Sequence, residues 1–251
     1  QKNDADETCD PDALLNPDRV ASSPLPGVVL LKNALDDAGQ REVLEWALRH
    51  GIDRRAWLDE QGALNAPRQF RGRCYDAVEA VDRRAGALSD ALQKAAKQAY
   101  GEVDPVGAST THLLMLFYAK LERGLGWHRD NGRSDGRDLN PVVSLSLGAS
   151  CLFRMKHGPN DPETVVELES GDAILFGGPA RHVMHAVTDL QRGTCPAHLQ
   201  KIVRGRVPGD PAEWRLNLTW RHAPELRGLE GGDRFHILGA PTSSFVAAAR
   251  E

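Results

Sequence analysis

Residues 214–221 read Trp-Arg-Leu-Asn-Leu-Thr-Trp-Arg, and polar and apolar residues alternate at every step of this segment after Trp214. Successive side chains of a β-strand point to opposite faces, so the pattern predicts a strand with one polar and one apolar face. The polar face would carry Arg215, Asn217, Thr219 and Arg221. Such a face can simply meet water. A strand face with two arginines and no acid also suits an anion, because a guanidinium can donate two parallel hydrogen bonds to a carboxylate.

Short apolar runs separated by Gly, Pro and Asp turns fill the chain after residue 110, which is typical of an all-β sandwich or barrel. We predict further strands at Leu113–Tyr118, Val142–Leu147, Thr164–Leu168, Ala173–Phe176 and His182–Val187. Earlier in the chain, the spacing of apolar residues predicts a strand over Gly27–Leu31 and two helices. The helices would run from Asp36 or Asp37 to about His50 and from about Ala87 to Tyr100. We expect them to pack against one face of the barrel.

The composition is that of a folded globular protein, with 41% hydrophobic and 26% charged residues among 251. A net charge of −4 excludes a molecule that is basic throughout, so any nucleic-acid binding must come from a local patch. No apolar run approaches 18 residues, and the first thirty residues carry acids where a signal peptide would be basic and then apolar. We therefore expect no membrane segment, a monomer, and an intracellular location in the nucleus or cytoplasm. Because the sequence begins at Gln1, the question whether a targeting segment has been removed stays open.

A candidate metal site lies in residues 125–130, which read Leu-Gly-Trp-His-Arg-Asp. Side chains two residues apart on an extended segment point the same way, roughly 7 Å apart, so His128 and Asp130 can bind one ion. A third ligand would come from His182 or His185, which are three residues apart and so face opposite sides of a strand. The pattern does not say which of the two enters the site. Two imidazoles and one carboxylate, with other positions open, are typical of non-haem Fe(II).

Seven segments, in sequence order, together resemble the AlkB family of Fe(II)- and 2-oxoglutarate-dependent oxygenases. They are Leu116-Phe-Tyr118, Leu125–Asp130, Pro141–Gly148, Asn160-Asp-Pro162, Ser170-Gly-Asp172 leading to Phe176-Gly-Gly178, Ala180–His185 and Arg215–Arg221. The resemblance implies an α+β protein, with a double-stranded β-helix (jelly-roll) core buttressed by N-terminal helices. We divide the chain into a flexible N-terminal arm (1–26), a helical extension with a nucleotide-recognition lid (27–110), the catalytic core (111–224) and a C-terminal tail (225–251).

The same resemblance implies the metal, its ligands and the reaction. Fe(II) would be bound by His128, Asp130 and His185, which selects His185 over His182. The chain would be a dioxygenase of nucleic acid repair or modification that uses O2 and 2-oxoglutarate to demethylate N-methylated bases in DNA or RNA. The products would be formaldehyde, succinate and CO2.

The resemblance also implies residues for 2-oxoglutarate. Tyr118 and Arg215 would hold its distal carboxylate, and Asn217 and Arg221 would line the site nearer the metal. The family's frequent Asn two places before the Tyr is Leu116 here, so one expected hydrogen bond is missing.

Two stretches are candidates for contact with the nucleic acid. Residues 54–75 interleave five arginines with aromatic residues, where the family carries its base-covering lid, and from them we take Trp57, Arg71 and Tyr75 as substrate candidates. Alternatively, these aromatic residues fill the core and the arginines are solvated. Residues 191–209 contain four basic residues and no acid, so they could contact phosphates or form a solvated loop.

Two other functions remain open at this stage. One is a 2-oxoglutarate oxygenase that acts on a protein side chain, and the other is a non-catalytic jelly-roll binding module. Convergence of the two basic stretches around the iron would favour a nucleic-acid substrate. The choice among N1-methyladenine, N3-methylcytosine and N6-methyladenine is open, because Asn131-Gly-Arg133 follows Asp130 where some family members carry a further acid.

Overall fold

The computed structural model describes residues 11–50, 70–75, 83–100, 112–118, 121, 124–130, 140–207, 209–221 and 234–236. The strands in this part are β1 (Val20–Leu25), β2 (Val28–Lys32), β3 (Phe70–Tyr75), β4 (His112–Tyr118), β5 (Leu125–His128), β6 (Val142–Gly148), β7 (Cys151–Lys156), β8 (Thr164–Leu168), β9 (Ala173–Phe176), β10 (Met184–Thr188), β11 (Arg215–Arg221) and β12 (Arg234–His236). The helices are α1 (Asp37–His50), α2 (Arg83–Ala99) and α3 (Ala197–Val203), with 3-10 turns at Pro11–Leu14 and Gly178–Ala180.

The strands form two antiparallel sheets. The large sheet has the order β1-β2-β9-β6-β11-β4-β3-β12, and the small sheet has the order β5-β10-β7-β8. Neighbours within each sheet are mostly distant in sequence, as in a double-stranded β-helix. The predicted α+β jelly-roll class is confirmed.

The helices cover one face of the large sheet. Helix α1 begins after Asp36, whose carboxylate accepts a hydrogen bond from the Gly39 backbone N–H at 2.8 Å, as expected of an N-cap. Its buried stripe includes Val43 and Leu44, which join residues of α2 and of the large sheet in one apolar core. This confirms the predicted helical buttress. None of the helices in the described ranges is both long and apolar enough to cross a membrane.

A second apolar core lies between the two sheets. Phe176 and Ile174 of β9 meet Phe153 and Met155 of β7 there. The polar residues of β11 face this same interior rather than solvent, because their apolar neighbours Leu216, Leu218 and Trp220 pack against the helical layer. The interpretation of the polar face as a water-facing surface is therefore wrong.

Several segments differ from the sequence analysis. Residues 11–25 of the predicted flexible arm form a 3-10 turn and β1, which pairs with β2 at the edge of the large sheet. An edge strand needs one ladder partner and leaves most side chains in solvent, so its polar composition hid it. Strands β3 and β12 come from the predicted extension and tail, yet they extend the same sheet as the core strands. Residues 197–203, for which a solvated loop was one of two alternatives, form α3.

Candidate metal centre and co-substrate pocket

His128, Asp130 and His185 meet at the open end of the small sheet. His128 ends β5 and is the register partner of His185 on β10, so the two imidazoles face each other with ring centroids 4.2 Å apart. One carboxylate oxygen of Asp130 lies 3.8 Å from Nε2 of His128, and the other lies 3.7 Å from Nε2 of His185. Among the residues that the structure describes, this is the one cluster of three such ligands, with all ligand atoms within 4.8 Å of one another.

Hydrogen bonds orient both imidazoles toward the centre of the cluster. The Nδ1 N–H of His128 donates to the Gly126 carbonyl at 2.8 Å, and the Nδ1 N–H of His185 donates to the Val183 carbonyl at 3.2 Å. With the proton on Nδ1, the lone pair of each ring lies on Nε2, which is the atom that points at Asp130. Such carbonyl partners are typical of metal-binding histidines.

Two aromatic rings fix the position of the His185 ring. The Phe153 centroid lies 5.3 Å away in a stacked arrangement, and the Phe176 centroid lies 5.1 Å away and tilted. The imidazole is thus held by the second apolar core, while His182 lies outside the cluster. The structure brings together the three residues that the resemblance selected and separates His182 from them.

The electrostatic environment keeps His185 and Asp130 in the forms that bind a cation. Burial lowers the pKa of His185 to about 4, so the ring is neutral at pH 7. Burial alone would raise the pKa of Asp130, but the neighbouring basic side chains, His185 first and then Arg221, hold it below its ordinary value. Metal ligands must be deprotonated to bind, and both groups meet that condition.

The donor set fits Fe(II). Two imidazole nitrogens and one carboxylate oxygen lie within 4.8 Å of one another, and an Fe(II) ion held by these three ligands would keep other coordination positions for a co-substrate and oxygen. Arg221 adds a cation near the same carboxylate, with its Nη1 3.7 Å from Asp130 Oδ1.

A buried cation marks the site predicted for the distal carboxylate of 2-oxoglutarate. Arg215 is 1% exposed, and its guanidinium donates to the Ala149 carbonyl at 3.0 Å and to the Ser146 hydroxyl at 2.7 Å. Both of these partners are neutral, and Nε of Arg215 is buried without a hydrogen-bond partner among the described residues. A buried guanidinium without a counter-charge is costly, so the site favours an anionic ligand such as a carboxylate.

Tyr118 lies beside this guanidinium. It is the register partner of Arg215 across β4 and β11 and is equally buried. Burial raises the pKa of Tyr118 far above its ordinary value, although the nearby charge of Arg215 acts in the other direction. The phenol therefore keeps its proton and can donate a hydrogen bond to an anion.

A chain of polar side chains runs from Arg215 toward Arg221. Asn217 donates from Nδ2 to the Ser144 hydroxyl at 2.7 Å and to the Leu145 carbonyl at 3.3 Å, and its Oδ1 accepts from Thr219 at 2.6 Å. Asn217 thus faces the interior, where both of its amide protons are donated to protein atoms. Leu116 lies directly opposite Asn217 and is buried, so an apolar wall stands where the family often has an amide.

The structure describes the backbone of two of the three predicted substrate residues. Trp57 lies outside the described residues. Arg71 and Tyr75 lie on β3, with their backbones paired to Phe117 and Leu113 of β4. This register places the predicted lid segment beside the strand that carries Tyr118.

The second basic stretch does not reach the metal. Helix α3, within it, buries Leu199 and Val203 in the helical core on the opposite face of the large sheet from Arg215. Two of its arginines are paired with acids, Arg206 with Glu45 at 2.8 Å and Arg192 with Glu213 at 3.2 Å. The possibility that these residues form a basic rim around the iron is therefore wrong for this stretch.

The sequence analysis assigned no site role to Ser144 and Ser146. They alternate with apolar residues on β6, and the register places them beside Thr219 and Asn217 of β11. Their alternation with apolar residues, in a strand that is otherwise apolar, was the signal in the sequence that could have indicated a polar lining. No comparable signal marked Phe153, because an aromatic residue in a buried strand is normally core.

Comparisons with known proteins give one family. The model of the 2OG-Fe(II) oxygenase superfamily matches residues 28–221. The chain is 28% identical over 226 residues to the DNA N(6)-methyladenine demethylase ALKBH1C of Arabidopsis thaliana, a match that covers 78% of this chain and 48% of that protein. It is 27% identical over 214 residues to the alpha-ketoglutarate-dependent dioxygenase AlkB of Salmonella typhimurium, which covers 80% and 92%. The chain spans about half the length of the two Arabidopsis relatives, ALKBH1C and ALKBH1D, that it matches.

A solved structure shares the fold. The structure of OsALKBH1 superposes with a TM-score of 0.59 at 24% identity and covers 81% of this chain and 100% of that one. The superfamily match extends from β2 through β11 and so includes all three candidate ligands and the residues around Arg215. The chain belongs to the 2OG-Fe(II) oxygenase superfamily, whose cofactors are Fe(II) and 2-oxoglutarate, and within it to the AlkB family.

Proposed function

We propose that this chain is an Fe(II)- and 2-oxoglutarate-dependent dioxygenase that oxidatively demethylates N-methylated bases in DNA or RNA. The observation that carries the proposal is the meeting of His128, Asp130 and His185 in one half-buried cluster, between the same two sheets as the buried cation of Arg215. The names of relatives, which include DNA and RNA N6-methyladenine demethylases, support a nucleic-acid substrate.

The protein supplies placement and electrostatics for this chemistry. Fe(II) and 2-oxoglutarate, when bound, would supply the oxidation that consumes O2 and yields succinate, CO2 and formaldehyde. His128 and His185 would offer Nε2 lone pairs, and Asp130 would offer its carboxylate. Arg221, beside that carboxylate, would also balance the charge of a carboxylate bound near the metal.

The other end of the co-substrate would lie against β4 and β11. Arg215 would pair with the distal carboxylate, and Tyr118 would donate its phenolic proton to it. Because both side chains are buried, their hydrogen bonds to an anion compete little with water. The apolar core around Phe153 and Phe176 keeps bulk water from the His185 side of the metal.

Substrate recognition would involve the lid segment. A methylated base must be reached in a single strand or flipped from the stack, and it is held between flat or apolar surfaces. Trp57, Arg71 and Tyr75 are our candidates for this contact. An intracellular location and a monomeric state remain predictions, which cell fractionation and size-exclusion chromatography would test.

A panel of modified substrates tests the function. The purified chain, with Fe(II), 2-oxoglutarate and ascorbate, is incubated with DNA and RNA oligonucleotides that carry N1-methyladenine, N3-methylcytosine or N6-methyladenine, single- and double-stranded. Methylated peptides are run beside them, and mass spectrometry follows each product. We expect at least one oligonucleotide to lose about 14 mass units for each methyl group removed, with one formaldehyde released each time. Modification of peptides alone would replace this proposal with the protein oxygenase alternative.

A further inference from the structure

The β-ladder between β5 and β10 ends at the cluster of three candidate ligands. His128 and His185 are the last register pair at this end, so Asp130 and the residues before Met184 lie beyond the ladder. The backbone of Asp130 therefore has no strand partner, although its carboxylate completes the cluster. Something else must hold this ligand at the distance of the two imidazoles.

Two arginines bridge the gap in opposite directions. Arg129, next to Asp130, donates from Nη1 to the carbonyl of His182. Arg181, next to His182, donates from Nη1 to the carbonyl of Asp130 at 2.5 Å. Each segment thus gives one guanidinium to a main-chain carbonyl of the other. We call this reciprocal pair the arginine clasp.

The two halves of the clasp differ in their surroundings. Arg181 is 0% exposed and caps the 3-10 turn, where its backbone N–H donates to the Gly178 carbonyl at 3.1 Å. Arg129 is exposed, and its second guanidinium nitrogen, Nη2, donates to the His157 carbonyl at 2.7 Å. The clasp therefore ties the Asp130 segment to the turn before β10 and also to the turn between β7 and β8.

We propose that the arginine clasp is a positioning device that sets the distance between Asp130 and His185 and thereby the metal affinity of the site. The proposal rests on the proposed function, because it takes these residues as iron ligands. The carboxylate of Asp130 lies 3.7 Å from His185 Nε2, with a main chain that the clasp holds outside any strand. Partners of metal ligands commonly change metal affinity about 10–100-fold when they are removed.

The experiment compares metal affinity with fold stability. Wild type, Arg181→Met, Arg181→Lys, Arg129→Met and the Arg129→Met/Arg181→Met double variant are titrated with Mn(II), and free Mn(II) is followed by electron paramagnetic resonance. Thermal unfolding of each metal-free protein is measured in parallel. Arg154→Met is the matched control, because Arg154 lies on β7 of the same sheet but binds Thr188, Glu163 and Asp189 instead of the ligand segments.

We expect Arg181→Met to weaken Mn(II) binding about tenfold or more and Arg129→Met to weaken it about threefold, because the latter bonds are exposed to water. Arg181→Lys should recover part of the loss, since an amine keeps one donor and the charge. The double variant should lose less than the product of the two single losses, because both bonds hold the same two segments. Arg154→Met should leave the affinity of wild type unchanged.

The outcomes distinguish failure of the arginine clasp from failure of the metal site itself. Wild-type affinity in both Arg181→Met and Arg129→Met would overturn the clasp while the iron site stands. Equal losses of affinity in the Arg154→Met control and the clasp variants would also overturn it, since the effect would then be one of general stability. Should Arg181→Met fail to fold, the exposed Arg129→Met decides alone. A wild-type protein that binds no Mn(II) or Fe(II) would overturn the proposed metal site itself, and the clasp with it.

Discussion

Tyr118 and Arg215 lie directly opposite each other on β4 and β11, and each is 1% exposed. A phenol and a guanidinium thus share one buried position in the large sheet, away from the metal ligands of the small sheet. Since the identified partners of the guanidinium are neutral, this pair forms a candidate anion site in the described interior.

Removal of the Arg215 charge should raise the requirement for 2-oxoglutarate steeply. Hydrogen bonds to charged groups contribute roughly 1.5–3 kcal/mol, so we expect Arg215→Met to raise KM for 2-oxoglutarate about 10–100-fold. Succinate formation at varied 2-oxoglutarate checks this. Arg192→Met, which removes an exposed arginine paired with Glu213, is the control and should titrate like wild type. An unchanged titration for Arg215→Met would remove the assignment.

Loss of the Tyr118 hydroxyl should have a smaller effect on the same parameter. Tyr118→Phe removes one neutral donor to a charged acceptor, at the lower end of that range with about 1.5 kcal/mol, so KM should rise roughly tenfold with kcat little changed. Because burial raises the pKa of Tyr118, the phenol stays protonated as pH rises to 9, and the ratio of the two KM values should stay constant from pH 7 to 9. A ratio that falls toward one over that range would show that the phenol ionises and would contradict the structure.

Removal of a metal ligand should abolish turnover and spare the fold. Asp130→Ala and His128→Ala each leave two ligands at a half-buried site at the end of a sheet, and neither side chain belongs to either apolar core. We expect formaldehyde release below detection and a circular dichroism spectrum like that of wild type. Glu167→Gln, at an exposed carboxylate on the same sheet, is the control. Formaldehyde release by either ligand variant would contradict the site.

The basic residues of α3 should not contribute to substrate binding. Lys201 and Arg204 are exposed, but α3 packs on α1, across the large sheet from the metal cluster. Lys201→Ala/Arg204→Ala should therefore leave the Kd for a methylated oligonucleotide, and its dependence on salt, unchanged. A salt slope that falls by about two would show phosphate contacts and restore the original interpretation of this stretch.

An ion pair beside the helical layer should give the fold a dependence on alkaline pH. Lys32 Nζ contacts Asp172 at 2.5 Å and Glu169 at 2.6 Å. Burial alone would lower the pKa of Lys32, but these two carboxylates raise it above its ordinary 10.5. The stabilisation is therefore fully present below pH 10 and is lost as pH rises through the raised pKa.

Lys32→Met tests this dependence. The ammonium is partly solvated, so we expect a loss of only about 1 kcal/mol at pH 8 by urea unfolding. The difference from wild type should shrink above pH 11. A difference that stays constant to pH 12 would show that the lysine contributes through packing of its alkyl chain rather than its charge.

The features that could be predicted from the sequence have strict local periodicity. The alternation of residues 215–221 predicted both the strand and its polar face, and the spacing of His128 and Asp130 predicted two ligands on one side. The choice of His185 over His182 needed the resemblance, because it depends on where β10 begins. The 3-10 turn at Gly178–Ala180 delays that strand until Met184, and no local pattern indicates the delay.

The features that could not be predicted depend on contacts across the fold. Arg129 and Arg181 are 52 positions apart in numbering but reach neighbouring carbonyls, and nothing in either segment indicates its partner. Strand β1 was hidden because a solvated edge strand lacks an apolar face. Residues 54–75 were predicted to form a base-covering lid from their interleaved arginines and aromatic residues, and no local pattern indicated that β3 within them pairs with β4 and extends the large sheet.

His128 and His185 belong to the small sheet, whereas Tyr118 and Arg215 of the anion site belong to the large sheet. The candidate reaction centre therefore lies between two layers that are joined mainly by apolar packing. Slippage of one layer by an ångström would alter the span that a bound 2-oxo acid must bridge. Residues such as Phe153 and Met155 therefore act as spacers as well as core. We expect substitutions that change the size of these two side chains to shift the spacing between the two sheets, and at Phe153 also the position of the His185 ring that stacks on it.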